Sequence, residues 1–135
     1  MAFVGRSNQG SGSAVSSKGL ILVLCVLLVA QSAAASNIVV GGSRGWTLGV
    51  NYNTWASKTT VRTRDTLVFK YSKLLHDVVV VTKTNFYNCN ANRPLAKFKT
   101  GTDFVKFSKP GTHYVICGVP GHCKAGMKLA INVRA

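Results

Sequence analysis

Cys117, His122 and Met127 fall at five-residue steps in the run Cys-Gly-Val-Pro-Gly-His-Cys-Lys-Ala-Gly-Met that covers positions 117–127. A thiolate, an imidazole and a thioether on one short, Gly-rich loop are all soft or borderline metal ligands. Sulfur donors favour copper(I), and imidazole suits copper in either oxidation state. Two imidazoles and one thiolate around a copper ion, with a weak axial thioether, form a site suited to one-electron transfer. The expected cofactor is therefore a single copper ion cycling between Cu(I) and Cu(II). The loop is one imidazole short, and His76 and His113 are the two distant candidates to supply it.

Reach decides between them. His113 lies four residues before Cys117 in a segment that reads as an extended strand, so at about 3.3 Å per residue it sits roughly 13 Å along the chain. A metal–imidazole bond of about 2 Å does not span that gap. His76 precedes Asp77 and four consecutive valines, where a loop runs into a buried strand. One ligand on a neighbouring strand, facing three on a loop, would hold the ion from two sides. The predicted ligand set is His76, Cys117, His122 and Met127.

The elements needed to position these groups are short strands. Residues 37–40 read as a first strand ended by two glycines, and residues 52–57 as a short helix. Residues 66–71 and 76–82 read as strands, 83–90 as a helical turn, 102–107 as an alternating strand and 113–117 as another. The last segment has the clearest period of two, with Met127, Leu129, Ile131 and Val133 alternating against Lys128, Ala130, Asn132 and Arg134. Met127 thus begins a buried strand face. Many short strands with Gly and Pro turns predict an all-β, antiparallel Greek-key β-sandwich.

The compartment is legible as well. An apolar run at 20–30 follows Arg6 and Lys18 and precedes three alanines, the layout of a secretory signal peptide, and it is too short for a comfortable membrane span. Cleavage after Ala35 is expected and would leave residues 36–135 as one domain, with an uncleaved anchor as the alternative. The formal net charge of +14 then falls to +12, because Arg6 and Lys18 leave with the leader. That charge predicts attraction to polyanions or an acidic redox partner, weakening as salt rises. Secretion, scattered basic residues and the lack of a stacking-aromatic signature argue against nucleic acid. An acidic cell-wall polysaccharide fits the compartment better. The chain stops at Ala135 without the spacer and hydrophobic tail of a lipid anchor, so no stable membrane anchor is expected, and the protein is expected to be a monomer.

Of four cysteines, Cys25 lies in the leader, which leaves Cys89, Cys117 and Cys123. An odd count in an oxidising compartment asks for one thiol with another use. If Cys117 binds metal, Cys89 and Cys123 remain to pair. A Cys117–Cys123 bridge would instead destroy the site, and an intermolecular disulfide is the third arrangement.

At these residues the chain resembles the phytocyanins of the cupredoxin superfamily, over roughly residues 38–133. The motifs are Val39-Val-Gly-Gly42 with Trp46, Phe69-Lys-Tyr71, His76-Asp77, Phe86 with Cys89, Phe107-Ser-Lys-Pro-Gly111, and the block from Tyr114 through Met127. The resemblance implies a two-sheet cupredoxin sandwich, ligands at His76, Cys117, His122 and Met127, and a Cys89–Cys123 disulfide. Met at 127 resembles the plantacyanins (basic blue proteins) and the uclacyanins rather than the stellacyanins, which carry Gln there, and the missing tail and basic charge favour the plantacyanin branch. It further implies a blue copper protein that carries single electrons between extracellular partners in the apoplast or cell-wall matrix, and not an enzyme. An oxidase would need further imidazole-rich sites, and this chain has three His in all. A thiol–disulfide oxidoreductase would want Cys-x-x-Cys beside a βαβ unit. A zinc site of Cys, His and His would leave Met127 without a role. The rival reading is an extracellular matrix-binding signalling protein whose copper redox chemistry is secondary.

Overall fold

The period-two segment at the carboxyl end forms the longest strand, β8 (Lys128–Arg134), in a computed structural model that describes residues 12, 16–19, 21 and 34–135. Leu129, Ile131 and Val133 are buried while Asn132 and Arg134 face solvent, as alternation requires. The chain divides into two compact units, Met1–Ala34 and Ala35–Ala135. The apolar run of the expected leader and Cys25 lie outside the described residues. Among the described residues, no helix is long and apolar enough to cross a membrane.

Two sheets make up the second unit. β1 (Asn37–Val39), β3 (Thr66–Lys70) and β6 (Thr102–Val105) form one, ordered β1-β3-β6. β2 (Val61–Arg62), β4 (Val78–Val81), β5 (Ala96–Phe98), β7 (Gly111–Ile116) and β8 form the other, ordered β2-β8-β7-β4-β5. Two short helices lie in the connections, α1 (Tyr52–Ser57) between the two sheets and α2 (Lys83–Tyr87) between β4 and β5 of the larger one. The Asn51 side chain caps α1 by accepting from the Thr54 N–H, and Thr82 caps α2 by accepting from the Asn85 N–H.

The all-β, two-sheet expectation holds, with one correction. The sheets are mixed rather than antiparallel, because β1 pairs with β3 and β2 with β8 in parallel. Two short strands, β2 and β5, lie outside the expected set. β2 has two residues and β5 reads Ala-Lys-Phe, so neither carries enough alternation to register. The strands expected at 76–82 and 113–117 are trimmed at the functional end, which leaves His76 and Cys117 just outside the ladders.

The burial of β4 explains its unbroken valines. Val78 and Val80 pack between the sheets with Trp46, Phe69 and Leu129, while Val79 and Val81 pack on the opposite face with Phe86 and Ile116. A strand covered on both faces has no polar side. Trp46, fully buried, lies 5.2 Å edge-on from Phe69 and 4.7 Å from Tyr52, and its indole N–H donates to the Asp77 carbonyl at 2.8 Å. That bond ties the core to the backbone beside His76. The approach to Trp46 needs glycine at 41, where φ is +75° and an added Cβ would lie 2.2 Å from the Gly45 carbonyl oxygen.

The domain's three carboxylates all face inward. Asp65 accepts from the Ser36 and Arg62 N–H groups, Asp77 from Gly118, and Asp103 from Thr100 and Tyr71. The Tyr71 phenol is pushed up to about 12, by burial first and by the Asp103 hydrogen bond second. Because the folded state holds this proton more tightly than the unfolded chain, its stabilisation is complete below about pH 10 and is lost as pH rises towards 12. Tyr71→Phe should cost about 1 kcal/mol at neutral pH. Urea midpoints recorded from pH 9 to 12 should fall less steeply for the variant than for the parent.

Candidate metal centre

Strand parity turns the two candidate sulfur donors, Cys117 and Met127, inward. Val115 faces the inter-sheet core and Ile116 the opposite face, so Cys117 returns to the core, where it is fully buried. Met127 joins the same core one residue before β8, at 1% exposure. The antiparallel β7–β8 pairing continues past its last rung, with the Cys117 N–H donating to the Met127 carbonyl at 3.0 Å. The Met127 N–H donates to the His122 carbonyl at 3.0 Å, and the His122 N–H to Val119 at 3.1 Å. The five-residue steps of the sequence thus become a hairpin loop with Cys117 and Met127 at its neck.

His76 arrives from the turn between β3 and β4, where its N–H donates to the Ser72 carbonyl. The His76 Nδ1 and His122 Nδ1 atoms lie 3.1 Å apart, and the Cys117 Sγ lies 3.9 Å from the first and 3.6 Å from the second. A triangle with these sides has a circumscribed radius of about 2.1 Å, against metal–nitrogen bonds of about 2.0–2.1 Å and metal–sulfur bonds of about 2.3 Å. One ion would fit within bonding distance of all three donor atoms. Burial, then the neighbouring His122, lowers the His76 pKa against the opposing pull of Asp77, so a neutral ring with a free lone pair is favoured. Burial pushes the Cys117 thiol up, and the thiolate accordingly needs a cation to form it. The donor set therefore fits a soft, redox-active ion.

Cys117 is the only free cysteine among the described residues, and Cys89 is joined to Cys123 with 5.6 Å between their Cα atoms. The bridge fastens the end of α2 to the residue beside His122. In the chain-entropy model a loop closed over a separation of 34 residues is worth on the order of 3–4 kcal/mol. Paired Cys89→Ser and Cys123→Ser substitutions should lower unfolding free energy by about that much, read from denaturant titration. His113 is engaged elsewhere, with its Nε2 2.7 Å from the Lys109 carbonyl and its ring stacked 4.2 Å from Phe107.

Sequence reading missed Asp77 as a structural latch. Its Oδ1 accepts from the Gly118 N–H at 2.6 Å, and Lys97 approaches its Oδ2 at 3.9 Å. Gly118 is confined, since an added Cβ would lie 3.0 Å from Val79, 3.2 Å from Ala91 and 3.3 Å from Asp77. The one signal available was a lone acid set directly before four buried valines.

The mixed two-sheet sandwich and its His-Cys-His triangle define a blue copper protein of the cupredoxin class, with copper as its cofactor. Residues 46–127 match the plastocyanin-like domain family. Blue copper protein of Pisum sativum is 41% identical over 118 residues, a match covering 84% of this chain and 62% of that protein. Chemocyanin of Lilium longiflorum is 42% identical over 127 residues, covering 92% of this chain and 97% of that protein. Among solved structures, cucumber basic protein, a blue copper protein, superposes with a TM-score of 0.66 at 41% identity, covering 72% of this chain and 98% of that one. The chain belongs to the phytocyanin family.

Proposed function

We propose that the domain is a secreted one-electron carrier working between extracellular partners, in which His76, Cys117 and His122, with Met127 as a weak thioether donor, would hold one copper ion. The observation that carries the proposal is the ligand triangle, with atoms 3.1, 3.6 and 3.9 Å apart, closed around a single buried, unbridged thiol. Copper supplies the one-electron couple, and a trigonal nitrogen–sulfur set lies between the geometries that its two oxidation states prefer.

The chain's own residues hold that compromise in place. The neck hydrogen bonds fix Cys117 and Met127, the Ser72 carbonyl fixes the His76 turn, and the disulfide fixes the backbone next to His122. Little has to move when charge changes. Cys117, Met127 and His76 are buried, while His122 is partly exposed and offers the ring edge through which a partner can be reached. Leu74 and Leu75, both exposed, precede His76 in its turn and give a docking partner an apolar contact. With every domain carboxylate turned inward, the exposed charge is overwhelmingly cationic, which favours an acidic partner and a rate that falls with salt. Two of the three histidines serve the site and His113 is held by Lys109, so no imidazoles remain for a second, oxygen-activating centre.

Voltammetry of copper-loaded protein tests the reading. A reversible one-electron wave is expected, moving to lower potential in Met127→Gln because an amide oxygen stabilises copper(II) better than a thioether does. An irreversible wave would remove electron carriage at this site, and a Met127→Gln potential equal to the parent's would remove Met127 from the ligand set. The inward carboxylates also support a second reading, association with an extracellular polyanion in which redox chemistry is secondary. Under that reading, charge-reversing surface lysines abolish function, while loss of a ligand in a folded domain is tolerated.

A further inference from the structure

Beside the metal-ligand loop lies a trough of about 640 Å³, open on one side and lined in part by Asn51, Asn53, Phe86, Tyr87, Gly126 and Lys128. It draws on α1, α2, the loop and β8, and contains none of the copper ligands. Its chemistry is mixed. The Lys128 Nζ sits 4.2 Å over the Phe86 ring and 5.9 Å from the Tyr87 ring, and donates to the Phe86 carbonyl at 3.0 Å. An ammonium has three donors, and the Cys89 sulfur at 3.8 Å is a weak second partner. All three carboxylates of the domain are committed elsewhere, so this partly buried cation has no internal counter-anion among the described residues. Tyr87 is 66% exposed, and Asn51 uses its carbonyl oxygen to cap α1, which leaves its amide N–H groups free of that bond.

We infer that this trough binds a carboxylated saccharide. The Lys128 ammonium pairs with the carboxylate, the exposed Tyr87 ring carries the apolar face of a sugar ring, and the Asn51 and Asn53 amides meet its hydroxyls. An aromatic surface interleaved with amides and one cation suits a ring that is apolar on its faces and polar at its rim. The open side suits a chain passing through better than a small molecule enclosed on all sides. The surrounding positive charge raises the local concentration of such a polyanion. The inference rests on the polyanion reading above and gives it a location.

The test is a titration of copper(I)-loaded protein with a short galacturonate oligomer, followed by amide shifts in two-dimensional NMR. The fully methyl-esterified oligomer and a polyaspartate of matched charge serve as comparators. Saturable shifts at the trough are expected, with weak responses to both comparators. Lys128→Gln should weaken binding about tenfold, the loss expected for one charge-assisted contact, and the exposed Tyr87→Ser about fivefold. Lys106→Gln, which removes the same charge from an exposed position just past β6, should weaken it less than about twofold. Equal losses in Lys128→Gln and Lys106→Gln, or polyaspartate binding as well as the saccharide does, overturn the trough and leave diffuse polyanion attraction standing. No binding of either polyanion overturns both, and bears on neither the ligand triangle nor its electron transfer.

Discussion

Replacing Cys117 with Ser is expected to abolish the intense visible absorption of the oxidised, copper-loaded protein while leaving the fold intact. The band depends on charge transfer from thiolate to copper, and among the described residues no other free sulfhydryl exists to restore it. The substitution exchanges a soft donor for a hard one at the same position, with a small change of volume in a fully buried site. Copper(I) affinity should fall most, because hydroxyl oxygen is a poor ligand for a soft cation. Cycling between oxidation states should stop as a result. Far-ultraviolet circular dichroism should match the parent, since the Cys117 backbone bond to Met127 and the Cys89–Cys123 bridge do not involve the replaced atom. A Cys117→Ser protein that remained intensely coloured would place the thiolate ligand elsewhere and remove the triangle's assignment.

The His-Cys-His triangle was legible because most of the information is local. Cys117 and His122 lie five residues apart on one loop, and His76 was separated from His113 by the reach of an extended strand. The alternation of β8 fixed which face Met127 would take. Long-range pairing was not legible in the same way. Whether β1 meets β3 in parallel depends on residues about thirty positions apart, and nothing within either strand encodes its neighbour's direction. β5 is short and bears an exposed Lys97, so its three residues resemble a loop. The inward orientation of Asp65, Asp77 and Asp103 was equally hidden, because an acid that bonds distant backbone N–H groups has the same letter as one in solvent. Net charge follows from composition, but its distribution, with the aspartates inside and most bases outside, is a property of the fold.

Asp77 is where that hidden information bears hardest on the site, and Asp77→Ala is expected to cost about 2–3 kcal/mol of stability while Asp77→Asn costs less than about 1. The reason lies in register. β4 and β7 pair Val79 with Ile116, so continuing the antiparallel ladder places Asp77 opposite Gly118. The backbone ladder ends before that rung, and the Asp77 carboxylate takes it over through its 2.6 Å bond from the Gly118 N–H. His76 precedes this rung on one strand and Cys117 precedes it on the other. A single side chain therefore sets the separation of two ligands supplied by different parts of the chain. Alanine leaves the Gly118 N–H without its acceptor and the Lys97 ammonium without its nearest carboxylate, whereas asparagine keeps an oxygen at nearly the same place. Released from the latch, the His76 and Cys117 donors should drift from the 3.9 Å spacing that suits a shared ion. Copper should then pass to an external chelator faster from Asp77→Ala than from the parent, with Asp77→Asn close to the parent. Urea titration measures the first effect, and the decay of visible absorption under excess chelator measures the second. Parent-like values for Asp77→Ala in both would show that the β4–β7 ladder alone holds the two ligands in place.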